Sequence, residues 1–320
     1  MLRKALDKAM DLTVVPGFTR IGYSVRSRGW SDPTAGKPLD GKAVLITGPT
    51  AGLGTATAKG LARAGADLHL AVRNLPKGES LEEEIRAEIP DAKVTVWECD
   101  VSDLDSVRGF AGIFCDSVDR LDVLIHNAGI LAAERKRSAQ GFELTFATNA
   151  LGPFLLTELL LEPLERATPS RVIFVSSGGM YAERLDVDDL QLERREFRGD
   201  RFYAHTKRIE VILAELISER YGARGITGHS SHPGWAYTAG MAEALPRFHK
   251  LTGPILRTAD QGADTVVWMS HAPEVLTNPG EFWHDREPRP KHRLPSTRET
   301  AVEREDLWRQ LSELAGVRSD

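Results

Sequence analysis

Only two cysteines, Cys99 and Cys115, occur in 320 residues, so no disulfide framework organises the chain. They suit a reducing compartment, and cytoplasmic is the expected location. The nine histidines include no HExxH, and no Cys/His spacing reads as zinc. His229 and His232 read as strand-end residues, so no metal is expected. No apolar run approaches the roughly 18 residues a membrane span needs, and the N-terminal stretch lacks the apolar core of a signal peptide. Neither sign of charge dominates. The 41 Lys and Arg stand against 46 Asp and Glu, a net −5, which offers nucleic acid no basic surface. What remains is ordinary for a soluble protein, 41% hydrophobic and 27% charged, and long enough for one large α/β domain.

From Lys42 onward, short apolar runs alternate with helical stretches. The pattern predicts strands over 43–46, 67–72, 94–97, 121–125, 171–175, 225–229 and 280–283. Between them it predicts helices ending near 64, over 77–89, about 104–118, a long one over about 140–164, one from Tyr203 to about Tyr221, and one over 258–269. Strands that are apolar throughout, each followed by a helix, imply a parallel sheet covered on both faces. The expected fold is a single doubly wound, Rossmann-type α/β domain of about seven strands. It spans 41–284, with an N-terminal arm and linker over 1–40 and a basic extension with a short helix over 285–320.

Such sheets bind ligands outside the carboxyl ends of their strands. After the first strand, Gly48, Thr50, Ala51, Gly52, Leu53 and Gly54 form a glycine turn opening a helix. Its backbone can approach a pyrophosphate, and the helix N-terminus offers free N–H groups. After the second strand stand Arg73 and Asn74. An Arg where NAD sites place an acidic residue suits a 2′-phosphate, so NADP is the expected cofactor and NAD the other candidate. Asp100 and Val101 follow the third strand, where a carboxylate can accept from an adenine amino group, although Ser102 or Asp103 would equally cap the next helix. Asn127, Ala128 and Gly129 follow the fourth, small enough for a ribose to lie against. Asn149 is polar among Phe146, Ala150 and Phe154, with Pro153 marking an irregularity nearby. Ser176 and Ser177 end the fifth strand. Pro233, Gly234 and Trp235 make a rigid turn after the sixth, where a nicotinamide edge has room to rest.

Tyr203 and Lys207 stand at i and i+4, on one face of a helix. A free tyrosine, with a pKa near ~10, is a poor acid or base at neutral pH. A neighbouring ammonium favours the phenolate and brings tyrosine chemistry into the working range. Alone the pair reads equally as a surface Lys beside a half-buried Tyr; its meaning depends on what surrounds it.

Thr47-Gly48, Gly52, Gly54, Asn127-Ala128-Gly129, Asn149, Ser177, Tyr203, Lys207 and Pro233-Gly234 occur in the order found in the short-chain dehydrogenase/reductase family, which the chain resembles over about 42–283. A closer likeness to one branch of that family covers nearly the whole chain, through Val175–Met180, Asp189-Leu190-Gln191, Gln261–Thr265 and Asp285-Arg286. His126 departs from the family, which usually has Asn there. The resemblance implies an enzyme that interconverts a small-molecule carbonyl and its alcohol with a nicotinamide cofactor. Tyr203 would be the general acid, Ser177 would hold the carbonyl oxygen, Lys207 would bind the nicotinamide ribose, and Asn149 would hold a water leading to solvent. Members often pair through the helices carrying Asn149 and Tyr203, so a homodimer or homotetramer is implied. Two rivals are a dinucleotide-binding scaffold or redox sensor without turnover, and a sugar-nucleotide epimerase. The first has no need of all four site residues. The second is disfavoured by the glycine spacing and the lack of a separate substrate domain.

Three flanking segments carry further expectations. Leu2, Leu6, Met10, Val14 and Val15 could line a helix beside Arg3, Lys4 and Lys8, as a docking arm or a membrane-surface segment. Residues 180–200, with Asp186, Asp188, Asp189, Glu193, Arg194, Arg195 and Arg198, read as a loop at the mouth of the site or a solvated charge run. Residues 236–251, with Met241, Leu245 and Phe248, fall where the family has its substrate lid and favour a hydrophobic substrate. Arg286, Arg289, Lys291, Arg293 and Arg298 read as a basic tail, solvated or in contact with anionic lipid.

Overall fold

The computed structural model describes residues 7, 10–11, 13–236, 250 and 252–318. One eight-stranded sheet runs in the order β3-β2-β1-β4-β5-β6-β7-β8. Its strands are β1 (Ala43–Thr47), β2 (Asp67–Val72), β3 (Lys93–Glu98), β4 (Val123–His126), β5 (Ser170–Val175), β6 (Ile226–Ser231), β7 (Phe282–His284) and β8 (Glu287–Arg289). All pairs are parallel except β7 with β8. The strand order turns back between β1 and β4, which opens a crevice at the carboxyl ends of those two strands.

The buried pattern explains the sheet. Every residue of β1, β4 and β5 is buried, as expected of strands covered on both faces. The main helices are α1 (Arg20–Arg26), α2 (Gly52–Arg63), α3 (Leu75–Glu88), α4 (Leu104–Ser117), α5 (Gly152–Leu159), α6 (Gly199–Tyr221), α7 (Ala259–Met269) and α8 (Ala301–Ala315). On one face, α4, α5, α6 and α8 enclose Phe114, Phe146, Phe154, Phe174 and Trp308; on the other, α2, α3 and α7 cover Ile46, Leu61, Leu70 and Val266. No described helix is long and apolar enough to cross a membrane.

The predicted long helix over 140–164 is corrected. Gly141 is left-handed (φ 86°) and Arg137 bridges Glu143, so the chain turns before it coils. Glu143 then accepts from Phe146 N at 2.7 Å and starts the helix at Leu144. A π turn, Ala147–Leu151, precedes α5. Pro153 has no N–H to give the carbonyl four residues back, which accounts for the wider turn at Asn149.

The eighth strand escapes sequence reading because Pro288 lies within it. Asp285 (φ 54°) and Arg286 (φ 58°) make a two-residue hairpin turn that returns the chain alongside β7. The basic stretch that follows is engaged rather than loose. Arg286 pairs with Asp264, Arg289 with Asp7, Lys291 with Glu215 and Arg293 with Asp11. Beyond it, α8 is capped by a Thr300–Glu303 capping box and buries Leu307, Trp308 and Leu311 in the main core.

The described part of the N-terminal arm docks on the domain. Arg26 is buried and bonds Asp7, the Gly17 carbonyl and Asp285. Arg257 donates to the carbonyls of Phe18 and Gly17 and to both oxygens of Asp285. Met10 is buried and Val15 exposed, while Leu2, Leu6, Arg3, Lys4 and Lys8 lie outside the described residues. So do Met241, Leu245 and Phe248 of the expected lid. Residues 180–200 form a tied-down loop. Leu185, Leu190 and Leu192 are buried, Asp189 accepts from the amides of Glu193 and Arg194, and Arg135 holds the carbonyls of Gln191 and Leu192.

Candidate active site

The glycine turn after β1 is shaped by contacts that exclude side chains. Gly48 (φ 62°) passes so close to the β4 loop that a Cβ on it would sit 2.8 Å from Ala128 Cα. A Cβ on Gly54 would lie 2.3 Å from the Gly48 carbonyl oxygen. Asn127 braces this turn, its Nδ2 donating to the carbonyls of Thr47 and Gly48 at 3.0 and 2.9 Å. The Thr47 hydroxyl accepts from the amides of Asn127 and Ala128. No side chain caps α2 at Ala51, and Ala51 and Gly52 are exposed, so the start of the helix faces outward with its first amides available to an anion. The residues present therefore fit a dinucleotide.

At the end of β2, Arg73 projects with three-quarters of its side chain exposed, its Nε 4.0 Å from Asp100 Oδ2. Asn74 caps α3, accepting from Lys77 N at 3.0 Å. Asp100 accepts from the amide and hydroxyl of Ser102, and Asp103 caps α4 through the amides of Asp105 and Ser106. Val101 is buried, its carbonyl against Gly152.

The reactive groups gather around the first turns of α6. That helix rides directly on β6 because Gly228 has no side chain. A Cβ there would lie 2.3 Å from the Ala214 carbonyl oxygen, and Ser218 Oγ accepts from Gly228 N at 2.8 Å. Tyr203 is partly exposed, and Lys207 Nζ lies 5.4 Å from the centre of its ring. Lys207 itself is buried and donates to the Val175 carbonyl at 2.9 Å and to Glu210 Oε1 at 2.7 Å. Burial works against its ammonium, but Glu210 and Tyr203 more than offset that and hold its pKa above the ordinary lysine value. Burial also pushes the Glu210 carboxyl up to about 7, with Lys207 acting in the opposite sense.

Asn149, wholly buried in the π turn, ties three segments together. Its Oδ1 accepts from Ile130 N at 2.9 Å, and its Nδ2 donates to the Ile130 carbonyl and to Thr206 Oγ1. A Cβ on Gly129 would meet Lys207 Nζ at 3.2 Å and Asn149 Oδ1 at 3.5 Å, so the β4 loop, the π turn and α6 converge there. Ser177 starts a short 3₁₀ turn, Oγ accepting from Gly179 N at 3.2 Å. A Cβ on Gly179 would touch both Ser177 Oγ and Ala204, next to Tyr203.

Beyond β6, Gly234 (φ 78°) sits on the Arg257 guanidinium, and Trp235 N donates to the Phe18 carbonyl at 2.7 Å. His232 Nδ1 accepts from Gly178 N, and burial holds its imidazole neutral. His126, the family departure, is buried and bonds Thr157 Oγ1 at 2.8 Å, tethering β4 to α5; burial pushes its pKa down to about 3.

The structure thus brings Asn149, Ser177, Tyr203 and Lys207 to the crevice, with the glycine turn on its other side. Three residues at the site were not anticipated. Phe18 reaches from the arm so near Gly178 that a Cβ there would clash with its ring, and nothing in the sequence signals this. Arg257 under the Gly234 turn is equally silent. Glu210, at i+3 from Lys207 on a helix, is legible by spacing alone.

An eight-stranded sheet with its glycine turn at the switch point defines a Rossmann-type nucleotide-binding fold. The model of the short chain dehydrogenase family matches residues 42–184. Dehydrogenase/reductase SDR family member 12 of Bos taurus is 38% identical over 300 residues, covering 93% of this chain and 94% of the relative. Retinol dehydrogenase 12 of Homo sapiens is 35% identical over 287 residues, 88% of each. Among solved structures, an uncharacterised protein from Mycobacterium paratuberculosis matches with a TM-score of 0.72 at 30% identity, over 91% of this chain and 99% of that one. A short chain dehydrogenase from Shigella flexneri, crystallised with NADP, shares the fold with a TM-score of 0.63 at 21% identity, over 78% and 99%. The chain belongs to the short-chain dehydrogenase/reductase family of oxidoreductases.

Proposed function

We propose that the protein is an NADP-dependent oxidoreductase that interconverts a carbonyl and an alcohol, with Tyr203 as general acid and base and a hydrophobic substrate. The observation that carries this reading is the buried Lys207 ammonium 5.4 Å from the ring of a partly exposed Tyr203, at the carboxyl end of β5. The turn over Gly48, Thr50, Ala51, Gly52, Leu53 and Gly54 would hold the pyrophosphate, and Arg73 the 2′-phosphate of the adenosine ribose. Asn127, Ala128 and Gly129 would lie under the ribose, and Pro233, Gly234 and Trp235 beside the nicotinamide. When bound, that ring supplies or accepts the hydride.

The chain's own residues handle the proton. In reduction the Tyr203 hydroxyl gives its proton to the carbonyl oxygen, and the Lys207 ammonium lowers the cost of the phenolate left behind. Ser177 Oγ donates to the same oxygen where negative charge develops. Asn149 keeps the β4 loop and α6 in register, so the three groups hold their spacing. A hydrophobic alcohol or carbonyl agrees with the retinol dehydrogenase among the relatives. The test is NADPH consumption against retinoid, steroid and aliphatic carbonyls. Tyr203→Phe should lower turnover by about 10²-fold or more, the usual size of an acid–base contribution. Near-normal turnover in that variant defeats the assignment.

A further inference from the structure

Glu210 has no place in the scheme above, yet among the described residues it is the acid paired with Lys207. Its Oε1 is 2.7 Å from Lys207 Nζ, and both side chains are almost fully buried. Its other oxygen has no protein hydrogen-bond partner among the described residues. Just past β5, the Ser176 hydroxyl lies beside Glu210 and donates to the Lys207 carbonyl at 2.8 Å. We propose that Glu210 is a positioning residue that holds the Lys207 ammonium against the Val175 carbonyl and offsets its charge, so that the ammonium favours the Tyr203 phenolate less and the site favours carbonyl reduction. This rests on the reading of Tyr203 as the general acid.

A lone ammonium beside Tyr203 favours the phenolate; an ammonium paired to a carboxylate presents almost no net charge and favours it much less. Burial, which pushes the Glu210 carboxyl up to about 7, places its ionisation within the working pH range. Of the other ionisable groups around this part of α6, Asp200 pairs with Arg198, Arg201 pairs with Glu183, and Arg135 from the β4 loop lies over the Phe202 ring. On α6 itself, His205 accepts from Asp186 N and Arg208 donates to the Met180 carbonyl. His229 on β6 and His232 just past it are held neutral by burial, and the 3₁₀ turn contributes Tyr181, bonded to the Pro290 carbonyl. The π turn carries no ionisable side chain. Arg171 of β5 points to the carbonyls of Ser270 and Ala272, and the charges of α8 meet α6 further along, at Glu215, Glu219 and Arg220.

The sign follows directly. Removing the carboxylate leaves Lys207 uncompensated, so the phenolate forms at lower pH. In Glu210→Gln, the alkaline limb of carbonyl reduction with NADPH should move down by about one pH unit. The acidic limb of alcohol oxidation should move the same way. Glu210→Asp, whose shorter side chain lengthens the ion pair, should fall between the two. A Glu210→Gln enzyme that binds NADPH and turns over with unmoved limbs overturns the proposal, even at reduced activity or thermal stability. If Glu210→Gln does not fold, Glu210→Asp decides, and an unmoved limb there overturns it. Tyr203→Phe is run alongside. Normal turnover in that variant defeats the general-acid reading itself, whereas lost turnover with unmoved limbs in the Glu210 variants defeats only this inference.

Discussion

Around β1 and α2 the chain is packed by aliphatic side chains and bare glycines; around β6, β7 and β8 it is packed on buried ions. On the first flank, Val44, Ile46, Leu61 and Leu70 fill the space, and the ligand surface is backbone. On the second, Arg26, Arg257 and Asp285 lie almost without exposure beneath the Gly234 turn, joined to the arm by the carbonyls of Gly17 and Phe18. An aliphatic flank tolerates small repacking, because no partner is stranded by it. A buried ion network fails once one member is lost, because the remaining charge has no water to turn to. The nucleotide side is therefore defined by shape and the side bearing Trp235 by charge complementarity.

Three substitutions sharpen that contrast. The largest expected effect is at Arg257. Arg257→Ala leaves buried Asp285 with Arg26 as its remaining cation and frees the arm carbonyls of Gly17, Phe18 and Thr19, and should cost about 3–5 kcal/mol, read as a drop in thermal or urea midpoint. A loss no greater than that of an ordinary surface substitution would erase the distinction between the flanks. Next is Gly48→Ala, which forces a Cβ to within 2.8 Å of Ala128 Cα at a left-handed φ of 62°. We expect a loss of about 1–3 kcal/mol, with weakened NADPH binding in a fluorescence titration. Binding as tight as wild type would show that backbone shape does not define the nucleotide side. Smallest is Arg73→Ala. The exposed guanidinium packs on little, so stability should stay unchanged, while NADPH preference over NADH falls by about tenfold, the size of one charge-assisted contact. An unchanged preference would remove Arg73 from the 2′-phosphate.

Much of the first flank could be read from the residues in order. Apolar runs followed by helical stretches specify a parallel sheet, and glycines at 48, 52 and 54 mark where backbone must come close. The i, i+4 spacing of Tyr203 and Lys207 put both on one face of α6 before any contact was known. The same rule at i+3 reaches Glu210, an equally local relation. Other features were hidden for physical reasons. Pro288 argues against a strand, yet β8 is the sheet's edge, where a missing N–H costs no ladder bond. The charged residues of 286–293 look like a solvated tail because their partners Asp7, Asp11, Glu215 and Asp264 lie far away in sequence.

By itself, then, the sequence determined the order of strands and helices, the glycine turn and the spacing of the reactive groups on α6, because these follow from local periodicity and backbone freedom. Only the tertiary structure decided that the N-terminal arm lies beside Ser177 and the Gly234 turn, that the basic stretch is neutralised, and that Asn149 braces the Ile130 loop. Those outcomes depend on which distant partner satisfies a buried charge or carbonyl, and burial is a property of the assembled fold.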